Sequence, residues 1–270
     1  MPKQCPHCGF QRVWKLRRSK LKCKKCRREF STDRYLDISG IRATEKQWRH
    51  CIRIFLKERT IRRIIQETGF SHCQVSKMVQ YLRMIMLQDA PEIFTGTTEI
   101  DETYVGGQRK NKKLHIRRLT PPKSGHGTDK LPIIGLFNRD LKQVYVQVLE
   151  RNNRGHGTKI FVVFKIIRKR TVEGSMIYTD SFRLYRHLNT YHVCNHYMVN
   201  HDGGEYSRGN IHTNNIEGFW GILKRKLGCI GGMRRESLKY FVAEITWKFN
   251  HKSITYQEQE DRLIKLLKEG

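Results

Sequence analysis

The chain has 270 residues, 38% of them hydrophobic, and carries 53 Lys and Arg against 25 Asp and Glu, a formal net charge of +28. So large an excess repels itself unless a polyanion neutralises it, and nucleic acid is the partner it favours over an anionic membrane. No run of 18 apolar residues occurs, and the start, MPKQCPHCGF, lacks the apolar core of a signal peptide. A soluble intracellular protein is therefore expected.

Residues 1–36 hold Cys5-Pro-His-Cys8-Gly and, fourteen residues later, Cys23-Lys-Lys-Cys26. Two CxxC knuckles at that separation suit tetrahedral thiolate coordination of one structural zinc ion, and a redox dithiol would need only one of them. A segment this short cannot bury enough apolar surface to fold alone, so metal binding would supply its folding free energy. His7, inside the first knuckle, is expected to be exposed. Cys51, Cys73, Cys194 and Cys229 are scattered singly and read as small buried hydrophobes.

Residues 40–92 read as helices. "TEKQWRHCIRIFLKE" starts at Thr44, an N-cap, and puts Trp48, Cys51, Ile52 and Phe55 on one face. "TIRRIIQETG", a break at Gly69-Phe70-Ser71 and "SHCQVSKMVQYLRMIM" then give a helix-turn-helix pattern, a spacing that any three-helix bundle can also show. In that pattern His72, Gln74, Ser76 and Lys77 face a DNA groove, while Val75, Val79 and Leu82 pack.

From Thr97 the period changes to two. "TTEIDETYVGG" places Thr97, Glu99, Asp101 and Thr103 on one strand face. Residues 108–130 read as a loop with eight Lys and Arg, among them Lys110, Lys112, Lys113, Arg117 and Arg118, suited to a polyanion. "LPIIGLF" and "QVYVQVL" flank Asn138-Arg139-Asp140 as a hairpin. "TKIFVVFKIIRKR" reads as a helix, "GSMIYTD" as a strand ending at Asp180, "SFRLYRHL" as a helix and His196–Val199 as a strand. In "HTNNIEGFWGILKRK" the residues Ile216, Phe219, Trp220, Leu223 and Leu227 form an apolar helical stripe. Asn214, Glu217, Gly221 and Lys224 form a polar ridge beside it, for which the simplest reading is a capping box of Asn214 with Glu217. "ESLKYFVAEITWKFN" and "YQEQEDRLIKLLKEG" are amphipathic helices.

Strand, hairpin, helix, strand, helix, strand, helix predicts an α/β (α+β) domain, a mixed sheet with flanking helices. Strand ends and an adjoining helix can then gather Asp101, Asp180 and Glu217. Three carboxylates suit hard Mg²⁺ ions, two of which about 3.5–4 Å apart can clamp the attacking and leaving oxygens of a phosphodiester. Lys224 would hold a phosphate as a point charge. Each acid also has an ordinary alternative. Asp101 can be a solvent-facing strand charge with Glu99 or Glu102 the acid that matters, and Asp180 can cap the following helix.

"EIDETYVGG", "IYTDSFRLY" and "HTNNIEGFWGILKR" resemble the catalytic blocks of Merlin-type transposases and their insertion-sequence relatives with an ISXO-like transposase domain. The resemblance covers residues from about 95 to 250, and a zinc ribbon ahead of the domain is usual there. It implies an RNase H-like fold and a DDE enzyme that cuts and rejoins DNA with Mg²⁺ or Mn²⁺, two ions per site. Position by position it assigns the acids to Asp101, Asp180 and Glu217, with Lys224 as the basic companion. Thirty-six residues separate Asp180 from Glu217. Some relatives carry asparagine as the third member, which makes Asn214 the alternative; Glu217 is preferred because a carboxylate binds metal better than an amide. Trp220 fits the family pattern too, and reads first as a core aromatic.

The expected organisation is a zinc ribbon at 1–36, a helix-turn-helix region at 40–92, an RNase H-like catalytic domain at 93–252 and a C-terminal helix at 253–270. The expected activity is cut-and-paste DNA transposition by a homodimer or larger assembly on terminal inverted repeats and target DNA. The alternatives are a domesticated zinc-dependent DNA-binding regulator without catalysis and a structure-specific nuclease. The compartment follows the host: the nucleus in a eukaryote, otherwise the cytoplasm with its nucleoid. The clusters Lys22–Arg28 and Lys110–Arg118 suit nuclear import or DNA contact equally.

Overall fold

Antiparallel pairing begins at Val13. In the computed structural model, which describes residues 4–5, 7–16, 20–31, 41, 43–106, 114–119, 130–150, 160–180, 183–199, 209–230 and 233–269, the strands β1 (Val13–Lys15), β2 (Lys20–Cys23) and β3 (Glu29–Ser31) form a small sheet in that order. Val13 pairs with Cys23 and Leu21 with Phe30. By its internal contacts the chain forms two compact units, residues 1–85 with 254–270, and residues 86–253.

The first unit also holds α1 (Glu45–Leu56), α2 (Ile61–Thr68), most of α3 (His72–Gln88) and α9 (Tyr256–Glu269). Thr44 caps α1 through a box with Gln47 and buries the stripe that includes Trp48, Cys51, Ile52 and Phe55. Gly69 ends α2 at φ 70°, a left-handed geometry that costs glycine nothing. Ser71 and Gln74 form a second box at the start of α3. Val75, Val79 and Leu82 are buried as the spacing predicts. Cys73 is exposed, because it lies on the outward side of that same helix.

α9 is held to α1 by a buried acid. Glu260 is 0% exposed and accepts from Arg49 and Arg53, while Arg49 also donates to Asp261 at 2.6 Å. Leu263, Ile264 and Leu267 are buried on the same helix.

The second unit is built on a five-stranded sheet ordered β6-β5-β4-β7-β8. Its strands are β4 (Thr97–Val105), β5 (Leu131–Asn138), β6 (Gln143–Val148), β7 (Met176–Asp180) and β8 (Asn195–Val199). The first three run antiparallel, and β7 and β8 add parallel to β4. Helices cover both faces. On one, Ile100, Ile134, Leu136 and Ile177 pack with Val163, Phe164 and Ile167 of α5 (Ile160–Arg170). On the other, Ile133, Phe137 and Val144 pack with α7 (Asn214–Cys229) and α8 (Leu238–Asn250). A strand covered twice must be apolar on both faces, which is why β5 reads as a continuous hydrophobic run rather than an alternating one. Three antiparallel strands extended by two parallel ones between helical layers are the RNase H-like arrangement.

Asn250 protects one edge. Its amide accepts from the Val144 N–H and donates to the Val144 carbonyl, each at 2.8 Å, as a neighbouring strand would.

Three local readings need correction. Within the expected loop at 108–130, Leu114–Leu119 form a helix, α4. The segment after β7 is a 3-10 turn, Arg183–His187, leading into a single α-turn, α6 (Leu188–Tyr191), rather than one helix. Cys229 is exposed because it is the last residue of α7, past the apolar stripe.

Replacing Glu260 with Ala is expected to destabilise the helical unit by about 1–3 kcal/mol, since Arg49 and Arg53 lose a buried partner but stay partly hydrated. A lower urea midpoint followed by circular dichroism checks this.

Candidate active site

β4 alternates as predicted. Glu99, Asp101 and Thr103 face α7, while Ile100 and Glu102 point to the opposite face. Ile100 pairs with Thr179 across the parallel β4–β7 ladder, so the next rung sets Asp101 beside Asp180. α7 crosses this face with Ile216, Phe219, Trp220, Leu223 and Leu227 buried, and its ridge of Asn214, Glu217, Gly221 and Lys224 exposed.

The start of α7 is tied to the sheet by Glu99. This carboxylate is 0% exposed. One oxygen accepts from the backbone N–H groups of Asn215 and Ile216 at 2.9 and 3.0 Å. The other accepts from Asn215 Nδ2 at 2.7 Å and Arg139 Nε at 2.6 Å. A negative charge at the positive end of a helix, closed by a guanidinium, is a favourable way to bury an acid. Arg139 is itself held by the carbonyls of Asn210 and His212 and lies 4.7 Å from the Tyr178 ring centroid.

The capping box expected of Asn214 and Glu217 is replaced by this long-range cap. Thr213 occupies the N-cap position without a side-chain cap bond, Asn214 is already the first helical residue, and Glu217 accepts from the Thr213 hydroxyl at 2.8 Å. The orphan N–H groups of Asn215 and Ile216 have gone to Glu99 instead, and that of Asn214 to His212 Nδ1 at 3.4 Å.

Asp101 accepts from the Trp220 indole N–H at 2.9 Å. Burial pushes its pKa up to about 6, the charges of Asp180 and Glu217 push the same way, and the hydrogen bonds from the Glu102 backbone and Trp220 oppose them. Asp101 thus feels the charges of both other acids. The carboxylate oxygens of the three do not all lie within 4.8 Å of one another, as the four cysteine sulfurs do. Glu102, on the far face, accepts from the Tyr185 hydroxyl at 3.4 Å and leaves its other oxygen buried without a partner. Burial, then the charges of Asp101 and Asp180, push it up to about 7.

Cys5, Cys8, Cys23 and Cys26 form a group able to hold a metal ion. Cys5 and Cys26 approach to 3.7 Å and Cys8 and Cys23 to 3.5 Å. The N–H groups of Lys25 and Cys26 point at Cys23 Sγ, from 3.3 and 3.5 Å. Burial raises the Cys23 pKa, but these donors and the neighbouring thiols outweigh it and bring it down to about 6, while Cys26, despite the Arg28 N–H, is pushed up to about 11 by burial and the same neighbouring thiols. Gly9 takes φ 68° after the first knuckle and Arg27 φ 58° after the second. His7 is exposed.

On α3, His72, Ser76 and Lys77 share one open surface with Cys73, Gln80, Tyr81 and Met84. Gln74 instead turns its carbonyl back to Ser71. The spacings 72-76-80 and 73-77-81 are the signal that would have added Gln80 and Tyr81. Arg117 and Arg118 lie on α4, Arg118 exposed; Lys110, Lys112 and Lys113 fall outside the described residues. Arg139, Gly135 and the Trp220 donor had no local signature.

An acid whose folded pKa lies above its unfolded one holds the extra proton when folded, so it costs stability as pH rises through that interval. For Asp101 the interval runs from 3.8 to about 6. Without added divalent ion, Asp101→Asn is expected to be more stable than wild type above about pH 6, by on the order of 2 kcal/mol, and no more stable below about pH 4. Urea unfolding of both proteins at several pH values checks this.

The ISXO2-like transposase domain family matches residues 93–250. The chain is 26% identical over 251 residues to a protein of the transposable element ISH50 from Halobacterium salinarum, covering 87% of this chain and 81% of that one. It is 32% identical over 92 residues to a transposase-like protein of Haemophilus influenzae, covering 34% and 73%. A cryo-EM structure of the simian T-cell lymphotropic virus intasome with PP2A regulatory subunit B56 gamma shows 10% identity and a TM-score of 0.34, over 72% of this chain and 66% of that one, a likeness too slight to build on. The family match spans more than half of the chain and contains Asp101, Asp180 and Glu217, and the chain belongs to the ISXO2-like transposase family.

Proposed function

We propose that this protein cuts and rejoins transposon DNA, with Asp101, Asp180 and Glu217 as the ligands of its catalytic metal. The observation that carries the reading is the β4–β7 register, which sets two aspartates side by side under a helix bearing a third acid whose charge reaches Asp101. A carboxylate whose proton affinity is raised by burial and by neighbouring acids belongs to a donor set that a hard cation would relieve. Bound Mg²⁺ or Mn²⁺, two ions per site, would activate water or a 3′-hydroxyl and stabilise the departing oxygen. The chain's part is to hold these acids on a strand, a strand end and a helix, and to offer Lys224, two turns beyond Glu217, to a DNA phosphate. Asn214 stands one turn earlier on the same ridge as the alternative third member.

Recognition of the inverted repeats falls to residues 1–92: a ribbon at 1–36 folded by one zinc ion on the four cysteines, and a helix-turn-helix at 40–92 that reads a groove with His72, Ser76 and Lys77. Gln74, engaged by Ser71, would need to turn outward to join them. The basic segment containing Lys110, Lys112, Lys113, Arg117 and Arg118 would follow the DNA backbone. Residues 93–252 carry the chemistry, and 253–270 the closing helix. Joining two element ends calls for a homodimer or larger assembly. Relatives in an archaeon and a bacterium favour the cytoplasm with its nucleoid, and no described helix is long and apolar enough to cross a membrane.

Cleavage of an element-end duplex with Mg²⁺ or Mn²⁺ tests the reading. Asp180→Asn is expected to bind the duplex as wild type does and to lose cutting by about a thousandfold or more, in line with the removal of a preorganised charge-stabilising group. No cutting by either protein would favour a DNA-binding regulator. Stripping zinc, or Cys23→Ser, is expected to unfold the ribbon and weaken duplex binding by about tenfold or more in a filter or anisotropy assay.

A further inference from the structure

We propose that Trp220 is a positioning residue that orients the Asp101 carboxylate for divalent-cation binding through its indole N–H, a role that rests on reading Asp101 as a metal ligand. Trp220 sits in the apolar stripe of α7 and is 4% exposed, packed at 5.5 Å between ring centroids against Phe219. Its edge nevertheless reaches across the sheet face to Asp101 Oδ2 at 2.9 Å. A buried indole N–H needs an acceptor, and here the acceptor is a strand carboxylate rather than a nearby backbone carbonyl.

Room for that reach is made on the neighbouring strand. Gly135 pairs with Asp101 in the β4–β5 ladder. A Cβ at Gly135 would stand 2.5 Å from Trp220 Cη2 and 2.8 Å from Ile216 Cδ1. Glycine inside a buried strand is unfavourable and marks a close approach by another group. In "LPIIGLF", otherwise apolar throughout, the close approach is the indole. Two strands and one helix thus cooperate on a single hydrogen bond: β4 supplies the carboxylate, α7 the donor and β5 the gap.

The consequence is geometric. A carboxylate at a strand surface can turn about its last torsion, which is a broad one. The indole donor holds one oxygen toward α7 and so sets the plane of the group that Asp180 flanks. Donors of this kind, standing behind a metal ligand, typically change metal affinity 10–100-fold when removed.

Trp220→Phe keeps the ring in the stripe and removes only the donor. In the zinc-loaded full-length chain, Mn²⁺ binding followed by electron paramagnetic resonance is expected to weaken about tenfold or more, with the thermal midpoint and duplex binding near wild type. Mn²⁺ affinity within twofold of wild type, in a variant that melts normally, overturns the proposal. Asp180→Asn separates the two levels: if it weakens Mn²⁺ binding while Trp220→Phe does not, only the role of Trp220 falls. If neither variant changes it, the metal-site reading falls as well. Should Trp220→Phe not fold, the wild-type chain decides. On Mg²⁺ titration its Trp220 indole N–H resonance is expected to shift while those of Trp14 and Trp48 stay, and an unmoved Trp220 signal rejects the role.

Discussion

A carboxylate with no exposure to water, Glu99, holds the sheet of residues 86–253 to the start of α7. Burying the charge of Glu99 would cost several kcal/mol if it stood alone. Two helix N–H groups, the Asn215 amide and the Arg139 guanidinium supply four donors to its two oxygens. Such a set tolerates little displacement, because each donor is anchored to a different element. The start of α7 is therefore fixed against β4, and everything further along α7 follows by helical spacing. Glu217 comes in the first turn, Trp220 next, and Lys224 two turns beyond Glu217. The positions of the proposed metal ligands relative to one another thus depend on an acid that has no oxygen left for a metal.

The apolar side of the same contact explains why the clamp can be so polar. Ile216, Phe219, Trp220, Leu223 and Leu227 pack on Ile133, Phe137 and Val144, and α8 closes the layer. Burial of several such side chains, each worth about 1.5–3 kcal/mol, holds α7 down along its length. The clamp then has to supply register rather than adhesion. Against that rigid background the crowding of Asp101, Asp180 and Glu102 is tolerated, although burial and mutual repulsion lift Asp101 and Glu102 well above the usual carboxylate range.

Much of this was legible in the sequence. The switch from helical to two-residue periodicity at Thr97, the hairpin around Asn138 and the continuous apolar run of β5 gave the mixed sheet, because those signals are local and strong. The same holds for the Thr44 box, the glycine stop at Gly69 and the stripe on α7. What stayed hidden is long-range. Nothing in the neighbourhood of Asn214 announces that its helix is capped by an acid, Glu99, 116 residues before Asn215 in the chain. The local motif of asparagine and glutamate pointed to a capping box that the fold had no need to form. Gly135 gave no hint of its purpose until Trp220 stood over it. Cys73 and Cys229 were misjudged because cysteine burial is a statistical tendency, and helix phase overrides it.

The pleat of β4 sorts three neighbouring acids into three environments. Glu99 and Asp101 share a face because they are two residues apart, yet they meet different parts of α7. Glu99 meets the helix start, where N–H groups have no helical partner, and is consumed by them. Asp101 meets the body of the helix, where backbone groups are already paired and only a side chain can donate, so a single indole N–H reaches it. Glu102, one residue on, is turned to the opposite layer and finds the Tyr185 hydroxyl. Shifting the register of β4 by one residue would send Asp101 into that layer and bring Glu102 under α7, away from the rung that Asp180 occupies. The register is protected against this slip by the buried pairing of β5 on one side and β7 on the other. The same strand order that gives the sheet its RNase H-like form therefore also decides which of the three acids stands on the rung next to Asp180.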